Sequence, residues 1–422
     1  MSIRSASILL VALFIPSTAA VAQRQPARER VIVEFHDNAA LDGFAAEYRA
    51  DDREAQAPQV FRYQSRAVLG AIKALERRHG FRAYAFYSRA IRGFAASVTA
   101  AQRAALERHP LVKAVEDDLP VQLVPPVTPL AQSITWGLTR IGADRSTARS
   151  GDGSGTVAGV NVYVIDSGID TTHPDLNVAG HVTFAGAPNA DCNGHGTGVA
   201  GLIAAKDDAN FYVGVAPGAP VTGVKVITCA GLGFPSSIVQ GVDWVTANAV
   251  RPAVANMSLG SLITLSAVNN AVRASAQSGI VYALAAGNGN PFNNNAPLNA
   301  CNTSPAAVDR DPFGIPNGII TVGATGEDDE DASFSNFGPC VDIWAPGVAI
   351  DSLWLMSEGG TVTASGTSFA SPMAAGAAAL LLSRFPTLSP PSVEYYIKIA
   401  SEATGTTATD GAIIRLLNLT FF

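Results

Sequence analysis

Five predominantly apolar runs limit the architectures open to this chain: Val160–Ile165, Val221–Ile227, Val254–Met257, Ile280–Ala286 and Ile319–Val322. None shows the polar–apolar alternation of a strand with one wet face. Stretches with helical spacing lie between them, at Gly196–Ala205, Ser236–Asn248 and Leu265–Ser278. Strands buried on both faces and interleaved with helices predict a doubly wound, mostly parallel α/β sheet with helices on both faces. Functional groups in such sheets gather at the carboxyl ends of the strands.

The front of the chain follows a different pattern. Arg30–Phe35 is rich in β-formers, and Arg66–His79 has helical spacing that stops before Gly80. Phe81–Tyr87 and Ile91–Val98 read as two strands. Thr99–Arg108 reads as a helix with Thr99 as N-cap, and Leu111–Val115 as a last strand. The order β-α-β-β-α-β predicts a small ferredoxin-like α+β unit with its core in residues 30–124. Pro120, Pro125, Pro126 and Pro129 then crowd one short stretch, which neither a helix nor a central strand tolerates. That stretch is a linker and the natural place for a cut. The first 22 residues carry Arg4, the apolar run Ile8–Ile15 and the small-x-small site Ala20-Val21-Ala22, the pattern of a secretory signal. The expected division is a signal peptide at 1–22, a front unit at 23–130 and a main domain at 131–422.

Charge follows the same division. Residues 1–130 carry a net +4 and the remainder −11, within an overall −7. An acidic main body excludes nucleic acid as the expected partner. It suggests that the basic front docks on the acidic rear. No stretch after the signal approaches the ~18 apolar residues of a membrane span, so the processed chain is expected off the membrane. Cys192, Cys229, Cys301 and Cys340 all lie in the rear. An even set in a secreted chain predicts two disulfides, and four cysteines allow three pairings. A zinc site would want a C-x-x-C or paired-His spacing, which the chain lacks.

Three segments carry chemistry. A buried strand runs into Asp166, a Gly-flanked His195 opens a helix of small residues, and Ser368 stands at another helix start, followed by Pro372, expected within the first turn. A Ser hydroxyl is a weak nucleophile until a His takes its proton, and that His needs a carboxylate to fix its tautomer. Asn288, just past an apolar strand, is placed to donate its amide to an oxyanion beside the Ser368 N–H. An aspartic peptidase would need a second Asp-Ser/Thr-Gly, and Asp351-Ser-Leu lacks the Gly. A catalytically dead binding module would show damage at one of the four positions, and none is damaged.

Seven motifs in register resemble the subtilase family, in its proteinase K and aqualysin-like branch: VNVYVIDSGI (160–169), DCNGHGTGVAG (191–201), VKVITCAG (224–231), VANMSLG (254–260), AAGNGN (285–290), SFSNFGPCVDIWAPG (333–347) and GTSFASP (366–372). The front unit resembles an inhibitor-type propeptide at AIRGFAASV (90–98) and HPLVKAVEDD (109–118). The resemblance implies a subtilisin-like fold and a secreted, monomeric serine endopeptidase made as a self-processing zymogen. Its propeptide would be chaperone and inhibitor, and Leu130–Ala131 is the favoured cut. Asp166 would orient, His195 act as base, Ser368 attack and Asn288 hold the oxyanion. Ser258, Leu259 and Gly260 would pair with the substrate and line one wall of the S1 pocket. Ala285, Ala286 and Gly287 would form the other wall. The implied bridges are Cys192–Cys229 and Cys301–Cys340. No cofactor is implied for catalysis. A structural Ca²⁺ is implied at Asp342, with carbonyls near Asn317 and Ile319. Met373 and Gly198 stand where the family usually or often has His, and the loops 291–300 and 308–317 look longer than in relatives.

Overall fold

A computed structural model describes residues 27–122 and 134–422, apart from 38, 209 and 310–314. The signal segment and the Leu130–Ala131 bond lie outside the described residues.

The rear unit is built on a nine-stranded sheet. In spatial order the strands are Glu402–Thr407, Ile413–Leu416, Ile343–Pro346, Ile319–Thr325, Ile280–Ala285, Ala253–Met257, Asn161–Asp166, Val221–Lys225 and Val178–Thr183. All neighbours run parallel except the Glu402–Thr407 edge strand. The first strand of the unit, Asn161–Asp166, lies inside the sheet, seventh of the nine. The chain passes from it to the Val178–Thr183 edge, turns back into Val221–Lys225 and then crosses to Ala253–Met257 on the other side, so a topological switch point falls between Asn161–Asp166 and Ala253–Met257. Such a point opens a crevice at the strands' carboxyl ends, where Asp166 and Ser258 stand.

Helices cover both faces, as expected. His195–Ala204 and Thr367–Arg384 lie on one, Pro235–Asn248 and Ser266–Gln277 on the other. The Thr367–Arg384 helix is buried nearly all round. Its run of Ala, with Gly376, suits that place, because a Cβ on Gly376 would come 2.5 Å from Val215. Pro372 lies deeper in this helix than expected, at the sixth residue. There its missing N–H leaves the Ser368 carbonyl without its usual i+4 donor. The Ser258 hydroxyl takes that role, donating to Ser368 O at 2.8 Å.

The front unit is a four-stranded antiparallel sheet ordered Ala83–Tyr87, Gly93–Thr99, Arg28–Phe35, Val112–Asp117, which is the ferredoxin-like order. Helix Arg66–His79 ends where the sequence placed its end, because Gly80 takes the left-handed turn at φ 70°. Thr99 forms a full capping box with Gln102. Ile32, Tyr87, Ile91 and Ala95 of this unit share one apolar core with Ile238, Val242, Ala267 and Val268 of the rear unit's helices.

The polar part of that interface differs from the expected basic-on-acidic docking. Helices Pro235–Asn248 and Ser266–Gln277 start from Phe234 and Leu265, which provide no capping side chain. The front unit supplies the caps. Asp118 accepts from Ser236 N at 2.7 Å and Ser236 Oγ at 2.6 Å, and Glu116 accepts from Ala267 N at 3.0 Å. Carboxylates are favoured there by the free N–H groups and the helix dipole. In the reverse direction, buried Asp243 accepts from Ser88 N, Arg89 N and Ala90 N at 3.3, 2.5 and 2.6 Å. Net charge misled because the contact is made by carboxylates and main-chain dipoles.

Asp243→Ala leaves those N–H groups without their acceptor, at about 1–3 kcal/mol. The separated front unit should bind the rear unit roughly 10- to 100-fold more weakly, read as its Kd. Burial pushes the Asp243 carboxyl up to about 6 from an ordinary 3.8, against the lowering pull of the three N–H donors. Relative to the unfolded chain, folding therefore takes up protons at this group. Its contribution is fullest below 3.8 and is lost as pH rises through about 6. Asp243→Asn should flatten the pH slope of the chain's Tm across that window.

Candidate active site

Asp166 ends strand Asn161–Asp166 and is fully buried. Its Oδ1 accepts from Ser167 N at 2.6 Å and from His195 Nδ1 at 2.8 Å. A carboxylate on Nδ1 fixes the proton there, so Nε2 carries the lone pair. That Nε2 is buried and makes no hydrogen bond.

His195 is held by residues the sequence reading did not single out. Gly194 precedes its helix at φ 96°, and a Cβ there would lie 2.1 Å from the Trp354 ring. With no side chain at that cap, Asp191 does the capping. Its Oδ1 accepts from Asn193 N and Gly194 N, and its Oδ2 from Thr197 N and Thr197 Oγ1. An Asp ahead of a Gly-His helix start, with Thr six residues on, was the available signal. The Cys192–Cys229 bridge ties this loop to the chain beyond strand Val221–Lys225. Lys225, also buried, donates to Ser167 O at 2.7 Å. Burial lowers its pKa, while Asp191 and Asp166 pull it back up.

Ser368 is the second residue of its helix and 5% exposed. Its N–H, in the first turn, has no intrahelical acceptor. The next residue, Phe369, meets the His195 ring edge-on at 6.0 Å, which brings the two helix starts together. Among the described residues His195 Nε2 and Ser368 Oγ are not hydrogen-bonded. Such bonds are often long in free enzymes and tighten with substrate.

Asn288 is fixed by an orientation that the sequence does not reveal. Its Oδ1 accepts from Thr367 N at 2.8 Å and Thr367 Oγ1 at 2.7 Å, so the amide nitrogen faces the other way. Asn336 holds the loop around it, donating to Ala286 O and accepting from Gly289 N and Leu298 N. A Cβ on Gly366 would sit 2.8 Å from Ser368 Oγ, 3.0 Å from Asn288 Nδ2 and 3.6 Å from Ser368 N. Those three groups surround a space that only glycine leaves open.

Beside that space is a cavity of about 410 Å³. Ser258, Leu259, Gly260, Ala285, Ala286 and Gly287 line it together with Asn288 and Ser368. Leu262, Pro291 and Phe292 extend its apolar wall. Pro120 of the front unit also reaches the cavity, and Val121–Gln122 pair antiparallel with Leu232–Gly233. The sequence reading passed over the Leu232–Gly233 edge, which pairs with the end of the front unit. The second bridge, Cys301–Cys340, closes the loop region behind the cavity.

This arrangement of Asp166, His195, Ser368 and Asn288 is compatible with hydrolysis through a nucleophilic Ser on a doubly wound sheet. The comparisons make the class specific. The subtilase family model matches residues 158–414, and the peptidase inhibitor I9 model matches 30–124. The chain is 39% identical over 342 residues to the alkaline serine exoprotease A of Vibrio alginolyticus, covering 78% of this chain and 59% of that one. It is 38% identical over 373 residues to an extracellular serine proteinase of Thermus sp. (strain Rt41A), covering 86% and 82%. Among solved structures, a cold adapted subtilisin-like serine proteinase superposes with a TM-score of 0.58 at 38% identity, over 68% of this chain and 98% of that one. The chain belongs to the subtilase family of serine peptidases and carries an I9-type inhibitor propeptide in front of its subtilisin-like domain.

Subtilases need no catalytic cofactor. Among the described residues no group of three or more His, Cys, Asp or Glu side chains is placed to hold a metal, and no helix is long and apolar enough to cross a membrane.

Proposed function

We propose that this chain is a secreted endopeptidase, made as a self-processing zymogen, in which Ser368, His195 and Asp166 act as a triad. The observation that carries the reading is the buried His195, tied by Nδ1 to Asp166 and left with a bare Nε2 beside the helix whose second residue is Ser368. Ser368 Oγ attacks the scissile carbonyl carbon and passes its proton to His195 Nε2. The carbonyl oxygen becomes an oxyanion held by Asn288 Nδ2 and Ser368 N. The intermediate collapses as His195 protonates the departing amine, which leaves an acyl-enzyme. Water, deprotonated by the same His195, then frees the acid and restores the hydroxyl.

Substrate would lie extended between the Leu232–Gly233 edge and Ser258–Gly260. Main-chain pairing of that kind accepts many sequences, and the apolar cavity favours an apolar side chain at P1. The front unit already uses one of these edges, through Val121–Gln122. That placement supports its role as inhibitor, and its caps on two bare helices support its role as folding template. The domain limits 1–22, 23–130 and 131–422 and the Leu130–Ala131 cut remain part of this proposal.

The test is labelling with a serine-directed sulfonyl fluoride. Casein clearing should stop, and the adduct mass should map to the Gly366–Pro372 peptide. Loss of activity with the adduct elsewhere, or inhibition by pepstatin instead, would sink the assignment.

A further inference from the structure

The resemblance leads to a calcium ion at Asp342, but the residues present do not fit one. Asp342 sits just before strand Ile343–Pro346, nearly buried. Its Oδ2 accepts from Thr321 N at 2.8 Å, and its Oδ1 from Lys398 Nζ at 2.5 Å. Lys398 also reaches Glu394 Oε1 at 3.2 Å, one turn earlier on helix Pro390–Ala400. Glu394 is fully buried, and its Oε2 accepts from Asn317 N at 2.6 Å and Gly318 N at 2.8 Å. The Asn317 side-chain oxygen is engaged by Ile319 N at 3.0 Å. Calcium needs six to eight oxygens at about 2.3–2.6 Å. Here two backbone N–H groups of the expected ligand segment turn to Glu394, and an ammonium already bridges the two carboxylates.

We propose that Lys398 is the structural cation of this corner, an internal ammonium in the place the family resemblance gives to calcium. One positive group joins three pieces: the Asn317–Thr321 segment, the Asp342 turn and the Pro390–Ala400 helix. Glu394 and Lys398 are offset by one helical turn, so a single helix face delivers both the extra carboxylate and its counter-charge. A bound metal stabilises by mass action and is lost to a chelator. A lysine on the same chain is present at every calcium concentration. The joint should therefore hold in calcium-free medium.

The experiment is thermal unfolding of the secreted enzyme, blocked with a sulfonyl fluoride against autolysis, in chelator and in millimolar calcium. Lys398→Met strands two buried carboxylates. It should lower the Tm in chelator by roughly 5–15 °C, on the scale of breaking a buried ion pair in a domain of this size. Calcium should recover little of that loss, because Glu394 and Asp342 stay engaged by Asn317 N, Gly318 N and Thr321 N and the corner still lacks the oxygens a calcium ion needs. Lys398→Arg, which keeps the charge, should melt within a few degrees of wild type without calcium. Asp342→Asn should leave any calcium response of the wild type unchanged. Three results overturn the proposal. One is Lys398→Met melting with the wild type in chelator. Another is its loss being fully recovered by calcium, which gives the corner to the metal. The third is a wild-type calcium response abolished by Asp342→Asn, which gives the site to the metal. Should Lys398→Met fail to fold, Lys398→Arg and Asp342→Asn still decide.

Discussion

Ser368→Ala is expected to lower turnover by about 10⁴–10⁶ and to stop maturation in the same step. The scale is known for the triad of subtilisin, a relative of this chain, and is not computed from this geometry. The residue-level reason is that nothing nearby can replace the hydroxyl. The proposed oxyanion donors Asn288 Nδ2 and Ser368 N survive the substitution, so a small rate above that in water should remain. Maturation fails because the bond to be cut belongs to the same chain, whose front unit already reaches the substrate cavity through Pro120. Secreted from a host lacking other proteases, the variant should accumulate as the full proform. If a foreign protease nicks it, the front unit should stay bound through Asp118, Glu116 and Asp243. Wild type should yield a species starting near Ala131. Maturation of the variant at the same bond and rate would remove Ser368 from the processing reaction and end the self-cleavage scheme.

What could be read from the sequence depended on how local each cause was. The central strands were legible because burial on both faces leaves long apolar runs. Helix Arg66–His79 was legible to its last residue because Gly80 ends it. Strand Val178–Thr183 was missed. It is a short edge strand containing His181, and its signal is pairing with Val221–Lys225. The Glu402–Thr407 edge strand was missed for the same reason. The four catalytic candidates came from motif and resemblance, but the groups that aim them did not. Asp191, Thr367, Asn336 and Ser258 act through hydrogen bonds that the fold alone brings within reach. Ser258 is instructive. It was expected to face substrate, and its residue does line the cavity, but its hydroxyl turns inward to Ser368 O and Ser371 Oγ. The cause is Pro372, whose position in the helix could be set only once the helix start was known. Lys398 was invisible for a similar reason, since 56 residues separate it from Asp342.

Asn288→Ala should cost about 10²–10³ in kcat with little change in KM; the scale is that of the matching oxyanion donor in subtilisin. The expected split follows from when the bond is made. A substrate carbonyl is a weak acceptor, whereas the tetrahedral oxyanion is a full charge, so the Asn288 N–H bond strengthens mainly in the transition state. The geometry adds a control. Asn288 Oδ1 is fixed by Thr367 N and Oγ1, so Asn288→Asp keeps those acceptor contacts while replacing the donor Nδ2 by an oxygen. It should be at least as damaging as Ala, because the new charge faces the oxyanion. Thr367→Val removes one of the two donors that orient the amide and should give a smaller loss, again in kcat. Steady-state kinetics on one peptide substrate would order the three. A loss in Asn288→Ala that appears mainly in KM, or an Asp variant more active than Ala, would show that this amide serves substrate binding and not the oxyanion.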